Sequence, residues 1–110
     1  MDYTITVVFP NDADAQYDIN YYTNSHMRLI EKHWSKYGLK GWSVTKYVPS
    51  LDGTAPVYAF GSQVYWENEE GMKNAFQSAE VAEIMQDVSR FSNKQPIFLV
   101  GQIAKPAFDL

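Results

Sequence analysis

Cysteine is absent from the chain. Disulfide staples, thiolate metal ligands and cysteine nucleophiles are therefore excluded, and the composition fits a reducing compartment. Basic charge is scarce: nine Lys and Arg face 13 Asp and Glu, for a net charge of −4 and a pI near 5.0. Proteins that grip phosphate backbones normally carry a basic patch, so no nucleic-acid partner is expected. Long apolar runs are missing too. The longest are about five residues, against the ~20 needed to cross a bilayer, so no membrane partner is expected. The start, Met1-Asp2-Tyr3, has neither the basic stretch nor the apolar segment of a signal peptide, which leads to an expected cytoplasmic location. With 110 residues the chain has material for one core, and residues 1–110 are read as one domain.

What the chain has in excess is aromatic: three Trp, eight Tyr and six Phe. Four of its five prolines bracket runs rich in Val, Ile, Tyr, Phe and Trp. These runs are Tyr3 to Phe9, Trp42 to Val48, Val57 to Trp66 and Ile97 to Ala104. Proline cannot donate to a sheet ladder and collects at strand ends, so each run predicts a strand. Between the first two, Asp18 is placed to cap a helix and Gly38 to end it. At ~100° per residue, Ile19, Tyr22, His26, Leu29, Ile30, His33 and Tyr37 share an arc of about 100°. Both histidines of the chain lie in that stripe. After the third strand, Asn68 followed by Glu69 and Glu70 predicts a second helix start. Met72, Ala75, Phe76 and Ala79 form its apolar face, and Val81, Ile84, Met85 and Val88 repeat the spacing. Asp52-Gly53 marks a turn that makes strands two and three a hairpin.

The order is βαββαβ. This predicts an α+β, ferredoxin-like fold: a four-stranded antiparallel sheet with helices on one face. The strands carry almost no charge on either side, Lys46 being the main exception. A sheet apolar on both faces needs both covered. One chain's helices cover one, which predicts a homodimer with two sheets face to face.

Tyr17-Asp18-Ile19-Asn20-Tyr21-Tyr22, followed by Ser25-His26-Met27, resembles the F/Y-D-x-x-Y-Y-x-x-x-H stretch of the EthD family. Phe9-Pro10-Asn11, Ala82-Glu83-Ile84-Met85 and Gln95-Pro96 extend the likeness over nearly the whole chain. Where family members commonly carry a proline after the histidine, this chain has Met27-Arg28. The resemblance implies a ferredoxin-like homodimer of the dimeric α/β-barrel group. Oxidoreductase activity is loosely attached to that family, and the wider group includes cofactor-free oxygenases, cyclases, decarboxylases and haem degraders.

His26 is the candidate base. Partial burial disfavours the imidazolium, and a neutral ring beside an apolar pocket can take a proton from a phenol or from carbon next to a carbonyl. Tyr22, four residues earlier, is the candidate hydroxyl donor to a developing oxyanion. Tyr21, Leu29, His33 and Trp66 are the candidate pocket lining. The expected ligand is a small apolar or aromatic molecule. No acidic residue shares the histidine stripe, so any carboxylate partner must come from elsewhere in the fold. His26 and His33 are seven residues apart, ~10 Å in helical rise, so no shared metal site is expected. There is no G-x-S-x-G elbow, no G-x-G-x-x-G fingerprint and no phosphate loop, so a nucleotide or flavin is not supported; one axial histidine leaves haem open, but nothing is specific for it, and no cofactor is expected. Tyr58 to Tyr65 has a superficial likeness to the aromatic motif of RNA-recognition domains, but its basic entry is replaced by Pro56-Val57. The readings that stand are a cofactor-independent oxidoreductase, oxygenase, cyclase or decarboxylase; a non-catalytic small-ligand-binding or accessory protein of a degradation pathway; and a plain dimeric interaction module.

Overall fold

A computed structural model describes residues 3–107. Strand β1 (Tyr3–Pro10) is followed by helix α1, residues 19–37, and the hairpin β2 (Leu39–Lys46) and β3 (Tyr58–Trp66). Helices α2 (Glu69–Phe76) and α3 (Val81–Asp87) then lead to β4 (Ile97–Gln102). The sheet order is β2-β3-β1-β4, with all three pairings antiparallel. This is the predicted ferredoxin-like α+β arrangement. Strand β2 begins three residues before its predicted start. Its register against β3 shifts between Leu39 and Gly41, so the chain enters the sheet directly from the end of α1.

Local chemistry sets the helix ends. The Asp18 carboxylate accepts from the Tyr21 backbone N–H at 2.9 Å, and Gly38 leaves α1 at φ 90°, a left-handed turn that costs glycine little. Asn68 accepts from the Gly71 N–H at 2.8 Å. Gly71 must stay small: a Cβ there would stand 2.0 Å from the Tyr37 carbonyl oxygen. The end of α1 and the start of α2 therefore meet backbone to backbone.

Helix α1 is not uniform. Its first turn, Ile19–Tyr21, gives way to a π-helical segment, Tyr22–His26, before α-helix resumes at Met27–Trp34 and closes in a 3-10 turn, Ser35–Tyr37. The Met27 N–H reaches back five residues to the Tyr22 carbonyl. One extra residue per turn rotates everything after it. The buried face thus runs through Tyr22, His26, Met27, Ile30 and Trp34, whereas a uniform 3.6-residue period places His33 in the core and leaves Trp34 outside. His33 and Leu29 are only half-buried.

The registers divide the sheet into two faces. Phe9 is opposite Phe60, Val7 opposite Ser62 and Phe98, and Ile5 opposite Val64 and Val100. These residues face the helices, and Phe9, Phe60 and Trp66 are essentially sealed there. The opposite face is built from Thr4, Thr6 and Val8, Ser43 and Thr45, Gly61, Gln63 and Tyr65, and Ile97 and Leu99. This corrects the expectation of a sheet apolar on both sides. The second face is uncharged but largely hydroxyl and small, with its apolar part on β4. Phe60 and Trp66 lie beneath the helices. Among the described residues, no helix is long and apolar enough to cross a membrane.

Candidate functional site

Between the helix-facing side of the sheet and the helices lies a partly enclosed cavity of about 40 Å³. A water needs roughly 10–15 Å³ of such space, so this cavity has room for a few waters or the end of a small molecule. Its wall is apolar, with Ile5, Val7, Ile30, Val64, Ile84 and Phe91 among the lining residues. Its polar lining is limited to Tyr22, His26, Ser62, Trp34 and Trp66. A second, open groove of about 550 Å³ runs between α2, α3 and β4. The two share Ile5, Phe76, Met85 and Phe98, so the cavity adjoins an apolar approach.

His26 is 4% exposed. Its Nδ1 lies 2.9 Å from Asp87 Oδ2. The ring stacks on Tyr22, centroids 5.5 Å apart, and tilts against Phe91 at 4.7 Å. Burial holds the imidazole below its usual pKa, and the Asp87 carboxylate pulls it upward without cancelling that effect. At neutral pH the ring is therefore uncharged. An uncharged ring beside a carboxylate must donate, which puts the proton on Nδ1 and leaves the Nε2 lone pair free. Among the described residues the one hydrogen bond of the ring is that of Nδ1 to Asp87.

Asp87, near the end of α3, supplies the carboxylate that the histidine stripe lacks. Its other oxygen, Oδ1, accepts from the Tyr21 hydroxyl at 2.7 Å and lies 3.6 Å from Arg90 Nε. Tyr21 and Arg90 thus hold the carboxylate that holds His26. Four residues earlier, Glu83 Oε2 lies 2.8 Å from His33 Nε2, although the ring nitrogen is not aligned for a hydrogen bond. The two histidines of α1 face the two acids of α3 in reversed order.

Tyr22 carries the second polar group. Its hydroxyl is 2.6 Å from Ser62 Oγ, and burial pushes its pKa up to about 12. Two hydroxyls joined by one hydrogen bond always leave one proton to give, so the pair is a donor whichever way it is oriented.

The structure thus brings His26, Tyr22 and Trp66 to one cavity. Tyr21 and Leu29 instead line a shallow polar depression on the outer side of α1 and α3, with Asp87 and Arg90. His33 lines neither. Asp87, Ser62, Trp34 and Phe91 were not singled out from the sequence. Asp87 falls three residues after Ile84, at the margin of the α3 stripe, and its i, i+4 spacing from Glu83 is the signal by which a helix face carrying two acids could have been found. No group of three or more His, Asp or Glu capable of holding a metal occurs among the described residues.

The His26 setting has a consequence for stability. Its pKa is lowered in the folded chain, so below the ordinary imidazole range the unfolded chain binds more protons than the folded one. Stability referred to alkaline pH is then retained above about 6.5 and declines as pH falls toward the folded pKa. Thermal melts from pH 8 to 5 should show a decline in Tm that is shallower in His26→Gln. Parallel Tm curves for the two proteins would refute this assignment.

No protein-family model matches the chain, and no curated protein does. Solved structures do match. An EthD-like protein from Ralstonia eutropha JMP134 superposes with a TM-score of 0.85 at 19% identity, over 94% of this chain and 92% of that one. An EthD family protein from Bacillus halodurans C-125 gives a TM-score of 0.70 at 21% identity, over 92% and 97%. HapK from Hahella chejuensis gives 0.60 at 14% identity, over 98% of each chain. The sequence resemblance centred on Tyr17 to Met27 and these superpositions point the same way: the chain has the ferredoxin-like fold of EthD family structures.

Proposed function

We propose that the protein is a homodimeric, cofactor-independent enzyme of EthD type, an oxidoreductase or oxygenase or else a cyclase or decarboxylase. It acts on a small apolar or aromatic molecule and uses His26 as general base. One observation carries this reading. A neutral imidazole, held through Nδ1 by Asp87, lines an apolar cavity with Nε2 unpartnered. In the first step Nε2 accepts a proton from a phenol or from carbon beside a carbonyl. The imidazolium so formed is stabilised by Asp87, and the Tyr22–Ser62 pair donates to the oxygen on which charge develops. The test is turnover by wild type and His26→Gln on phenolic and β-dicarbonyl substrates. Undiminished turnover in the variant would reject the base assignment.

A second reading, a non-catalytic small-ligand-binding protein, draws support from the small size of the cavity. Binding that persists in His26→Gln, with no turnover by either protein, selects it.

The homodimer rests on the uncharged second face of the sheet and on β4, where Ile97, Leu99 and Val100 are 43%, 57% and 63% exposed. Ile97 and Leu99 stand on that second face and Val100 on the other, so β4 offers exposed apolar side chains on both sides for association. Light scattering at micromolar concentration should give twice the chain mass of 12.6 kDa. A mass equal to one chain overturns the dimer.

A further inference from the structure

Tyr21 and Tyr22 are neighbours in the sequence, yet the proposed function uses only Tyr22. The Tyr21 side chain turns to the outer side of α1, where it lines the polar depression with Asp87 and Arg90. Its hydroxyl donates to Asp87 Oδ1 at 2.7 Å. The other oxygen of the same carboxylate, Oδ2, lies 2.9 Å from His26 Nδ1. One carboxylate of α3 thus joins two side chains of α1 that stand five residues apart.

That joint depends on the shape of the helix. In a regular α-helix, positions five apart are separated by about 140° around the axis. The π-helical segment, Tyr22–His26, bonds position i to i+5 instead, and Tyr21 and His26 come to face the same carboxylate. The Asp18 carboxylate holds the Tyr21 backbone N–H at 2.9 Å, just ahead of this segment. The Tyr21 ring stacks on Phe91 at 6.4 Å and 21°, and Phe91 also packs against the His26 ring. The hydroxyl is therefore aimed at Asp87 by groups that already frame the base.

We infer that Tyr21 is a positioning residue of the site: by occupying Asp87 Oδ1 it leaves Oδ2 to His26 Nδ1, and so keeps the imidazole proton on Nδ1 and the lone pair on Nε2. The inference rests on the proposed function and adds to it a residue that does not line the cavity. The hydroxyl matters because Asp87 has other choices. Its side chain is 12% exposed and lines a depression open to water, and the exposed Arg90 guanidinium stands 3.6 Å from Oδ1. Without the Tyr21 hydroxyl the carboxylate is free to turn toward either. A neutral imidazole that loses its acceptor on Nδ1 can carry its proton on either nitrogen, and the form protonated on Nε2 offers the cavity no base. The hydrogen bond to Asp87 also holds the Tyr21 pKa above its usual value, which keeps the hydroxyl a donor.

Tyr21→Phe retains the ring against Phe91 and removes only the hydroxyl. Long-range ¹H–¹⁵N spectra of the imidazole, recorded at pH 8, read the tautomer directly. Wild type should show His26 protonated on Nδ1 alone, and Tyr21→Phe should show a mixture with the Nε2–H form. On a substrate that wild type turns over, the variant should lose about three- to tenfold in kcat with KM changed less than twofold. In an Asp87→Asn background the same substitution should change kcat less than twofold, because Tyr21 acts through Asp87 and the two losses do not add. A wild-type ring protonated on Nε2, the same tautomer in wild type and Tyr21→Phe, or additive losses in the double variant each overturn the inference. The wild-type spectrum needs no variant to fold. The outcome is separable from that of the proposed function: His26→Gln reports on the base through turnover, while the tautomer is read in the resting protein without substrate.

Discussion

His26→Gln is expected to lower kcat by about 10²–10⁴-fold, the usual contribution of a positioned general base, with a much smaller change in KM. Glutamine fills most of the imidazole volume and can still hydrogen-bond Asp87, so the cavity wall is preserved while the basic nitrogen is lost. The pH profile supplies a sharper check. The wild-type rate should fall on the acid side as Nε2 becomes protonated. That limb should lie below the ordinary imidazole range, because burial outweighs the Asp87 carboxylate in setting the His26 pKa. Asp87→Asn removes the group that pulls this pKa upward, so its acid limb should move to still lower pH while kcat falls between wild type and His26→Gln. A carboxylate that merely pinned α3 to α1 would change stability without moving the limb. An acid limb at the same pH in wild type and Asp87→Asn therefore assigns Asp87 to architecture and removes it from the chemistry.

The largest expected loss of stability is at Phe9. This side chain is 1% exposed and lies at the centre of the aromatic cluster. It stacks on Phe60 at 4.5 Å and 5°, and meets Tyr17, Tyr22 and Phe91 edge-on at 5.8, 5.5 and 5.6 Å. Phe9→Ala should cost about 3–5 kcal/mol, a large share of the 5–15 kcal/mol that holds a typical domain. Urea denaturation should show the midpoint shifted accordingly; a loss under 1 kcal/mol would mean the cluster closes over the gap. Phe9→Leu, which keeps most of the volume, should lose much less. The cluster is also the floor of the site: Phe9, Tyr22 and Phe91 all line the cavity. Destabilisation and loss of ligand binding should therefore coincide in Phe9→Ala, whereas His26→Gln should separate them.

Strand and helix order was legible because it rests on local chemistry. Proline brackets, the Asp18 and Asn68 caps and the left-handed Gly38 each act within a few residues of themselves, and each is found in its expected role. The second face of the sheet was misjudged because alternation along a strand gives two faces without saying which one meets the helices. Once β3 pairs with β1 in register, Phe60 and Trp66 fall on the helix side, and the other face is left with smaller, hydroxyl-bearing side chains. The lining of the site was misjudged for a different reason. A strict 3.6-residue period cannot anticipate the five-residue turn from Tyr22 to Met27. That turn puts Trp34 in the core and leaves His33 and Leu29 half-buried.

By itself, the sequence determined the βαββαβ order, the ends of the helices and the nomination of His26 and Tyr22, because patterning and capping are local properties of the chain. Only the tertiary structure decided what those side chains do to one another. It brought Asp87 from α3 to His26 across 61 residues of chain, joined Ser62 to Tyr22, and left the indole N–H groups of Trp34 and Trp66 buried without acceptors. A proton's position on an imidazole and the satisfaction of a buried donor depend on which elements pack together, and no spacing within a single element contains that information.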